Sequence, residues 1–316
     1  MIENIVFSSG GIMGFAFVGA YQYIYEKKLH KNIKNILGCS VGAMISLCIS
    51  LGYTSNEIKG ITLGMDITKM INKDNNILDI VNKYGFDNGE HMIKILKILI
   101  KKKTGNSDLT FKEHYKMFNT KLIIVGCNVN KNEDEFFNYR TQPDMKLWEA
   151  IRISCGIPLV FTPYKYKDNL YVDGALNNPC PCNYFRNQDK TLSFILESDI
   201  TENDNVESND FQSYLTNLIF YNLRNNKKRK KKKKNSITII LKKENEYTEF
   251  SLSEENKIKF IEQGYNITKE LLPNIIENTI DNNIKEIENT KEIDNTKEID
   301  NTKEIDNTKD IKKIEN

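Results

Sequence analysis

Histidine is scarce in this chain: the 316 residues include three, His30, His91 and His114. A serine–acid–histidine triad in the chain order of the α/β-hydrolases needs a histidine late in the sequence, and none follows residue 114. That triad is therefore disfavoured. His30 lies beside lysines after a helical segment, and the other two lie in polar helical stretches. All three are predicted to be surface residues.

Long apolar runs and metal-binding cysteine patterns are also missing. No apolar run reaches the roughly 18 uncharged residues of a membrane-spanning helix, and the chain enters a predicted strand within its first residues, so no secretory signal is expected. The six cysteines include no CxxC pair, and Cys180-Pro181-Cys182 lacks the spacing of a zinc site. We therefore expect reduced thiols, no metal, and an intracellular protein that is cytoplasmic or peripheral at membranes.

A glycine-rich turn lies near the start of the chain. Residues 5–7 predict a strand, residues 8–14 read Ser-Ser-Gly-Gly-Ile-Met-Gly, and residues 15–25 have helical spacing. Backbone N–H groups at such a helix start are suited to holding negative charge. A dinucleotide site is disfavoured, because Ser9 replaces the first glycine of G-x-G-x-x-G and no acidic residue follows at the expected distance. With no G-x-x-x-x-G-K-[ST] loop either, no cofactor is expected.

A serine, Ser40, stands at the centre of Gly38-Cys39-Ser40-Val41-Gly42, between a predicted strand and a predicted helix. A serine on such a turn projects its hydroxyl out of the bend, and the flanking glycines tolerate the tight backbone. The pattern is weak by itself, because Gly and Ser are common. Cys39 is an alternative nucleophile, but it is not the central residue of the turn and is expected to be buried.

An aspartate, Asp173, directly follows the predicted strand 169–172 and begins the tripeptide Asp173-Gly174-Ala175. A carboxylate can accept the proton of a serine hydroxyl. An aspartate beside glycine is also a common turn former, so the tripeptide alone leaves its role open.

Taken together, the glycine-rich turn, the serine turn and the aspartate turn resemble, in order and spacing, the patatin-like phospholipase family of lipid acyl hydrolases with a Ser-Asp dyad. Residues 153–161, Ile-Ser-Cys-Gly-Ile-Pro-Leu-Val-Phe, are similar to the family's segment before the aspartate. The resemblance covers roughly residues 4–190. It implies a three-layer α/β fold with a mostly parallel central sheet flanked by helices.

The resemblance also implies a role for each motif residue. Ser40 is expected to be the nucleophile and Asp173 the proton acceptor, with the backbone N–H groups of Gly10, Gly11 and Ile12 as the oxyanion hole. The substrates implied are carboxylic esters of phospholipids, lysophospholipids or acylglycerols, cleaved through an acyl-enzyme without metal or cofactor. The remaining motif residues, which shape the turns, are Gly14, Gly38, Gly42, Gly174 and Ala175.

Two positions depart from the family's glycine-rich turn, which usually begins with Gly and carries Arg or Lys before its last Gly. Here these positions hold Ser9 and Met13. The missing cation removes one source of positive potential and leaves the backbone donors in place. The alternative is a catalytically idle protein of the same fold that binds lipid or a protein partner. The presence of both Ser40 and Asp173 favours the enzyme.

The catalytic domain is predicted over residues 4–190, with strands at 122–127, 136–139, 170–172 and 192–196 and a helix at 145–154. Residues 55–118 have a helical pattern and form an insert, either a lid over the site or a helical layer on the sheet. The apolar face of this insert is expected to include Ile93, Leu96, Ile98, Leu99 and Ile100.

Residues 191–275 are expected to complete the fold, with helices at 210–225 and 253–272, the latter ended by Pro273, and a strand at 236–241. The basic run Lys227–Lys234 is either a solvated loop, a nuclear-targeting segment or a contact with anionic lipid. A lipid substrate at a membrane or micelle surface favours the lipid contact, and no nucleic acid is expected. Residues 276–316 carry a six-residue repeat that makes no sustained helical seam, which predicts a disordered or loosely helical tail.

Overall fold

An eight-stranded sheet forms the centre of the protein in a computed structural model that describes residues 1–65, 82–199, 235–242 and 252–279. The sheet and the elements that build the site belong to one compact unit, Ile2–Leu271. The strands are β1 (Asn4–Phe7), β2 (Asn35–Gly38), β3 (Gly85–Asp87), β4 (Lys121–Asn128), β5 (Glu133–Phe137), β6 (Leu159–Phe161), β7 (Tyr164–Tyr166), β8 (Asn169–Asp173), β9 (Thr191–Asp199) and β10 (Ser236–Lys242).

Helices surround the sheet. They are α1 (Phe15–Glu26), α2 (Val41–Ser50), α3 (Ser55–Gly64), α4 (Glu90–Thr104), α5 (Phe111–Phe118), α6 (Leu147–Ser154) and α7, which covers residues 254–279. Capping boxes at Thr54 and Thr110 start α3 and α5, because each threonine accepts from the third backbone N–H while a glutamate side chain accepts from the threonine's own N–H.

The sheet has the order β10-β9-β1-β2-β4-β8-β7, with β5 also paired to β4. The first five strands of this order are parallel, which confirms the predicted mostly parallel sheet, whereas β5, β8 and β7 are antiparallel to their neighbours. Ile5, Val6 and Phe7 of β1 are all fully buried, as expected for a parallel strand covered on both faces.

Strand β4 is the shared neighbour that brings the two candidate site residues to one level. Gly38, at the end of β2, lies opposite Ile124 of β4. Asp173, at the end of β8, lies opposite Gly126, two residues further along β4. Ser40 follows Gly38 by two residues, and Gly126 follows Ile124 by two residues. The serine turn and Asp173 therefore lie at the same level along β4.

The insert contains a strand that the helical pattern did not predict. Strand β3 pairs in parallel with β6 in a separate two-stranded sheet. The prediction failed because three residues are too few to show a period. The predicted strand 136–139 is also displaced, since β5 ends at Phe137. A lid function of the insert stays a prediction.

Pro273 does not end the last helix, which continues to residue 279. The prediction of a helix end was wrong because helical apolar spacing resumes after the proline at Ile275 and Ile276, although an internal proline removes one backbone hydrogen bond. The predicted helix 210–225, the basic run Lys227–Lys234 and tail residues 280–316 lie outside the described residues.

Candidate active site

Ser40 occupies a sharp turn between β2 and α2. Its backbone has φ 55° and ψ −123°, a strained conformation for a residue with a side chain. Two glycines allow the turn: a Cβ at Gly42 would collide with the carbonyl oxygens of Phe7 and Ser8, and one at Gly38 would collide with the backbone of Gly42. The strand-turn-helix prediction is therefore confirmed, with the hydroxyl of Ser40 displayed on the turn.

Asp173 lies within hydrogen-bond distance of Ser40, although 133 positions separate them. The Ser40 Oγ donates to Asp173 Oδ2 at 2.7 Å. The second carboxylate oxygen, Oδ1, accepts from the N–H of Ala175 at 2.8 Å, which holds the carboxylate in one orientation. The two residues are 7% and 1% exposed, and a hydrogen bond to a charged group is stronger where water is excluded.

The segment 154–156, at the end of α6, fixes the backbone of both residues. Ser154 Oγ accepts from the N–H of Ser40 at 3.0 Å, and Cys155 Sγ donates to the carbonyl of Ser40 at 3.2 Å. The N–H of Asp173 donates to the carbonyl of Gly156 at 2.9 Å. These three bonds connect the serine turn to the aspartate turn through one short segment.

Cys155 keeps its proton in this position. Burial raises the pKa of the Cys155 thiol well above its usual range, and the charge of Asp173 raises it further. The thiol is therefore a donor to Ser40 and not a competing nucleophile. Cys39 is fully buried in a hydrophobic cluster with Val6 and Leu37, which confirms its predicted burial.

A buried arginine supports the same region. Arg152 Nε donates to the carbonyl of Asn88 at 3.1 Å, and Nη2 donates to the carbonyl of Thr162 at 2.8 Å. Its guanidinium lies 4.9 Å from the ring centroid of Phe161. Burial lowers the pKa of Arg152 to about 10, so the side chain remains cationic at neutral pH. Arg152 thus connects α6 to the loops that follow β3 and β6.

The glycine-rich turn lies beside Ser40. Residues Gly11–Gly14 form a short 3-10 helix, and Gly14 packs so closely on Val41 that a Cβ would overlap that side chain. Among the described residues, no backbone acceptor takes the N–H of Gly10, Gly11 or Ile12. Gly11 and Ile12 line the cavity that Ser40 also lines, whereas Gly10 packs against Leu196.

Ser40 lines an apolar cavity of about 190 Å³. Its lining comes from four helices, α1 to α4, together with the segment between α6 and β6. Side chains that line it away from Ser40 are almost all apolar, with Thr62 as the polar exception. The lining residues are Gly11, Ile12, Gly14, Phe15, Val18, Ser40, Val41, Met44, Ile45, Cys48, Ile58, Ile61, Thr62, Met65, Met92, Ile95, Leu96, Leu99, Cys155, Ile157 and Phe161.

The histidines lie elsewhere. His114, predicted to be a surface residue, is 1% exposed, and its Nε2 lies 3.2 Å from the carbonyl oxygen of Ser50. The surface prediction was wrong because α5 is oriented so that the His114 side chain faces Ser50, the last residue of α2. His30 is half-buried and stacked on Tyr25 at 4.2 Å between ring centroids, and His91 is exposed. In the contacts of the described residues, no histidine serves as a base for Ser40.

Sequence reasoning did not assign roles to Ser154 and Cys155, although the segment 153–161 was among the family-like features. Their contacts with the Ser40 backbone depend on tertiary structure, and neither residue type nor spacing signals them. Within the part of the chain that the structure describes, no group of three or more His, Cys, Asp or Glu side chains is arranged to hold a metal ion. No described helix is both long and apolar enough to cross a bilayer.

Comparison with known proteins places this site in a family. The sequence model for the patatin-like phospholipase family matches residues 5–186. A probable lipid hydrolase of Invertebrate iridescent virus 6 is 33% identical over 180 residues, which cover 57% of this chain and 61% of the viral protein. A triacylglycerol lipase of Arabidopsis thaliana is 28% identical over 160 residues, 50% of this chain and 19% of the plant protein.

A solved structure has a similar fold. VipD from Legionella pneumophila superposes with a TM-score of 0.60 at 18% identity, covering 86% of this chain and 67% of VipD. At this identity the likeness concerns the fold alone. With the family match over residues 5–186, the conclusion is that this chain belongs to the patatin-like phospholipase family.

Proposed function

We propose that this protein is a serine lipid acyl hydrolase in which Ser40 and Asp173 form the catalytic dyad. The observation that carries the proposal is the 2.7 Å hydrogen bond from Ser40 Oγ to Asp173 Oδ2, and Ser40 also lines an apolar cavity. A buried carboxylate in contact with a serine hydroxyl on a strained turn is the arrangement of a nucleophile with its base.

The reaction begins when the Ser40 hydroxyl attacks the carbonyl carbon of a carboxylic ester. Asp173 takes the hydroxyl proton as the new C–O bond forms and then gives it to the leaving alcohol. The acyl group remains as an ester on Ser40. Water, deprotonated by the same Asp173, then attacks the acyl carbon, and Asp173 returns the proton to Ser40 Oγ as the ester bond breaks and the fatty acid leaves.

The negative oxygen of the tetrahedral intermediate is stabilised by backbone N–H groups of the glycine-rich turn. Gly11 and Ile12 adjoin the cavity beside Ser40, and Gly10 is the third candidate donor. Each donor contributes on the order of 3 kcal/mol in the transition state. Backbone donors do not depend on the cation that Met13 replaces, so the departure at Met13 is compatible with activity.

The substrates are carboxylic esters of phospholipids, lysophospholipids or acylglycerols. Support comes from the apolar lining, which suits an acyl chain, and from relatives named lipid hydrolase and triacylglycerol lipase. We further propose that the enzyme acts at a membrane or micelle surface, with the basic run Lys227–Lys234 attracted to anionic headgroups.

Two substitutions test the dyad. Ser40→Ala and Asp173→Asn should each reduce hydrolysis of a nitrophenyl butyrate ester at least about a thousandfold, with the thermal unfolding midpoint retained. A fluorophosphonate probe should label the wild-type protein and leave Ser40→Ala unlabelled.

Matched controls separate chemistry from folding. Ser46→Ala changes a buried serine of α2, the helix that follows Ser40, and its Oγ has no hydrogen-bond partner among the described residues. Asp168→Asn changes an exposed aspartate near the start of β8. Both should retain turnover. A wild-type protein with no serine-dependent hydrolysis and no probe labelling would instead support the idle, lipid-binding alternative.

A further inference from the structure

We propose that the cavity limits acyl-chain length, so that the enzyme prefers medium-length chains, with Cys48, Ile95 and Leu99 as the residues that determine this specificity. The inference rests on the proposed function and names the substrate class for the same site. It follows from the position of Ser40 in the lining, from how far the lining extends along α2 and α4, and from the side chain that joins the ends of these two stripes.

One wall of the cavity runs down α2, away from Ser40. The lining residues Val41, Met44, Ile45 and Cys48 recur with helical spacing, so they form one stripe along this helix. Cys48 lies seven residues beyond Val41, which corresponds to about 10 Å at 1.5 Å per residue. Along α2 the described lining therefore extends roughly this distance from Ser40.

The opposite wall comes from the insert. On α4 the lining residues are Met92, Ile95, Leu96 and Leu99, again with helical spacing. Ile98, predicted to belong to the apolar face, is instead 65% exposed. This helix therefore presents one isoleucine, Ile95, to the cavity and another, Ile98, to solvent.

Tyr53 is bonded to both helices at the residues that lie farthest from Ser40 in these two stripes. The Tyr53 hydroxyl donates to the carbonyl of Leu99 at 2.9 Å, and its N–H donates to the carbonyl of Cys48 at 3.1 Å. Tyr53 thus joins the last lining residue of α2 to the last lining residue of α4. It is itself 1% exposed and is not one of the lining residues.

The ring of Tyr53 is contacted by a lysine that is paired with a glutamate. Lys103 Nζ lies 4.4 Å from the centroid of the Tyr53 ring and donates to both carboxylate oxygens of Glu57 at 2.9 Å. Glu57 also accepts from the N–H of Thr54 in the capping box of α3. Tyr53 is therefore tied to α3 and α4, and an acyl chain that extended between Cys48 and Leu99 would have to displace it.

The lining along α2 is shorter than the acyl chain of a membrane lipid. One leaflet accounts for half of the ~30 Å hydrocarbon core of a bilayer, or about 15 Å, compared with about 10 Å along α2. A medium-length chain such as octanoyl can be buried completely, whereas part of a palmitoyl chain remains outside and gains less from burial.

A series of nitrophenyl esters, from acetate through butyrate and octanoate to palmitate, tests the proposal with the full chain. The wild-type protein should have its highest kcat/KM with the octanoyl ester. Ile95→Phe should lower the ratio of kcat/KM for octanoyl to that for acetyl ester at least tenfold. Ile98→Phe, the same change on the solvent face of the same helix, should leave this ratio within twofold of wild type.

Leu99→Ala tests the opposite direction and keeps the proposal testable should Ile95→Phe fail to fold. It enlarges the far end, so the kcat/KM ratio of palmitoyl to octanoyl ester should increase at least threefold. A wild-type preference for palmitoyl ester, or a chain-length profile that neither variant changes, overturns the proposal while leaving the dyad intact.

Binding without turnover separates this inference from the proposed function. Calorimetric titration of the Ser40→Ala variant should show tighter binding of octanoate than of butyrate, with no further gain for palmitate. Absence of hydrolysis by the wild-type protein contradicts the proposed function, and the binding profile then still decides the length limit. An affinity that continues to increase up to palmitate overturns the proposed length limit.

Discussion

The reacting residues and the cavity beside them are built in different ways. Ser40 and Asp173 stand on turns whose backbone is fixed by glycines and by single hydrogen bonds to Ser154, Cys155 and Ala175. The cavity is enclosed by apolar side chains of four helices, two of them from the insert.

This difference predicts different consequences of substitution. On the turns, a displacement of about 1 Å disrupts proton transfer and costs on the order of a hundredfold in rate. In the cavity, apolar residues of similar volume replace one another at small cost, so substitutions there change which chain fits. We therefore expect substitutions at the proposed dyad to change whether reaction occurs, and substitutions in the insert to change which acyl chain is accepted.

The largest effect is expected from a methyl group on the serine turn. Gly42→Ala places a Cβ against the carbonyl oxygens of Phe7 and Ser8, so the turn must move. The free energy of unfolding should fall by ~3 kcal/mol, and kcat for butyrate ester should fall about a hundredfold. Urea denaturation and ester hydrolysis measure the two effects.

The matched variant is Gly60→Ala in α3 of the insert, where a Cβ meets no atom within 4 Å. Alanine is the better helix former, so this variant should gain up to about 1 kcal/mol with turnover retained. If Gly42→Ala kept wild-type stability and rate, the rigidity assigned to the serine turn would be incorrect.

An effect on stability alone, with no loss of rate, concerns pH and the insert. Burial lowers the pKa of His114 from its ordinary 6.5 to about 4, while its bond to Ser50 opposes the change. Between these two values the unfolded chain binds a proton that the folded protein does not, so stability falls as pH decreases from about 6.5 to 4. The loss should reach about 3 kcal/mol.

Chemical denaturation between pH 7 and pH 4 measures this slope. Carboxylates titrate in the same range, so the informative quantity is the difference between wild type and His114→Phe, which should have the shallower slope. His91→Gln, at an exposed position of the insert, should keep the wild-type slope. Equal slopes for wild type and His114→Phe would contradict the burial of His114 as the cause.

The smallest effect is expected at the support of the serine turn. Ser154→Ala leaves the N–H of Ser40 without its side-chain acceptor, and an unsatisfied buried donor costs about 1–3 kcal/mol. As Ser154 positions the nucleophile, kcat should fall about tenfold with KM unchanged. Steady-state kinetics with butyrate ester separates the two constants.

Ser50→Ala is the control, since Ser50 Oγ donates to the carbonyl of Leu47 in α2 and makes no contact with the turn. Both variants lose a buried serine hydroxyl, and Ser154→Ala alone should lower kcat. An equal decrease of kcat in both variants would mean that Ser154 has a structural role only.

Short-range features of the sequence determined much of the fold and the location of the candidate site. The strand, glycine turn and helix around Ser40, the strand before Asp173 and most sheet strands were predicted because apolar period and glycine position act over a few residues. The family resemblance then associated Ser40 with Asp173, which spacing along the chain alone does not do.

Tertiary structure alone decided which residues surround the dyad and which side chains face the cavity. Ile95 and Ile98 are identical residues on one helix, yet the position of α4 in the fold places the first at the cavity and the second in solvent. His114 is buried because α5 faces α2, and Ser154 reaches Ser40 across 114 positions. Contacts between residues far apart in the chain depend on how complete elements pack, and local patterns of residue type carry no record of that packing.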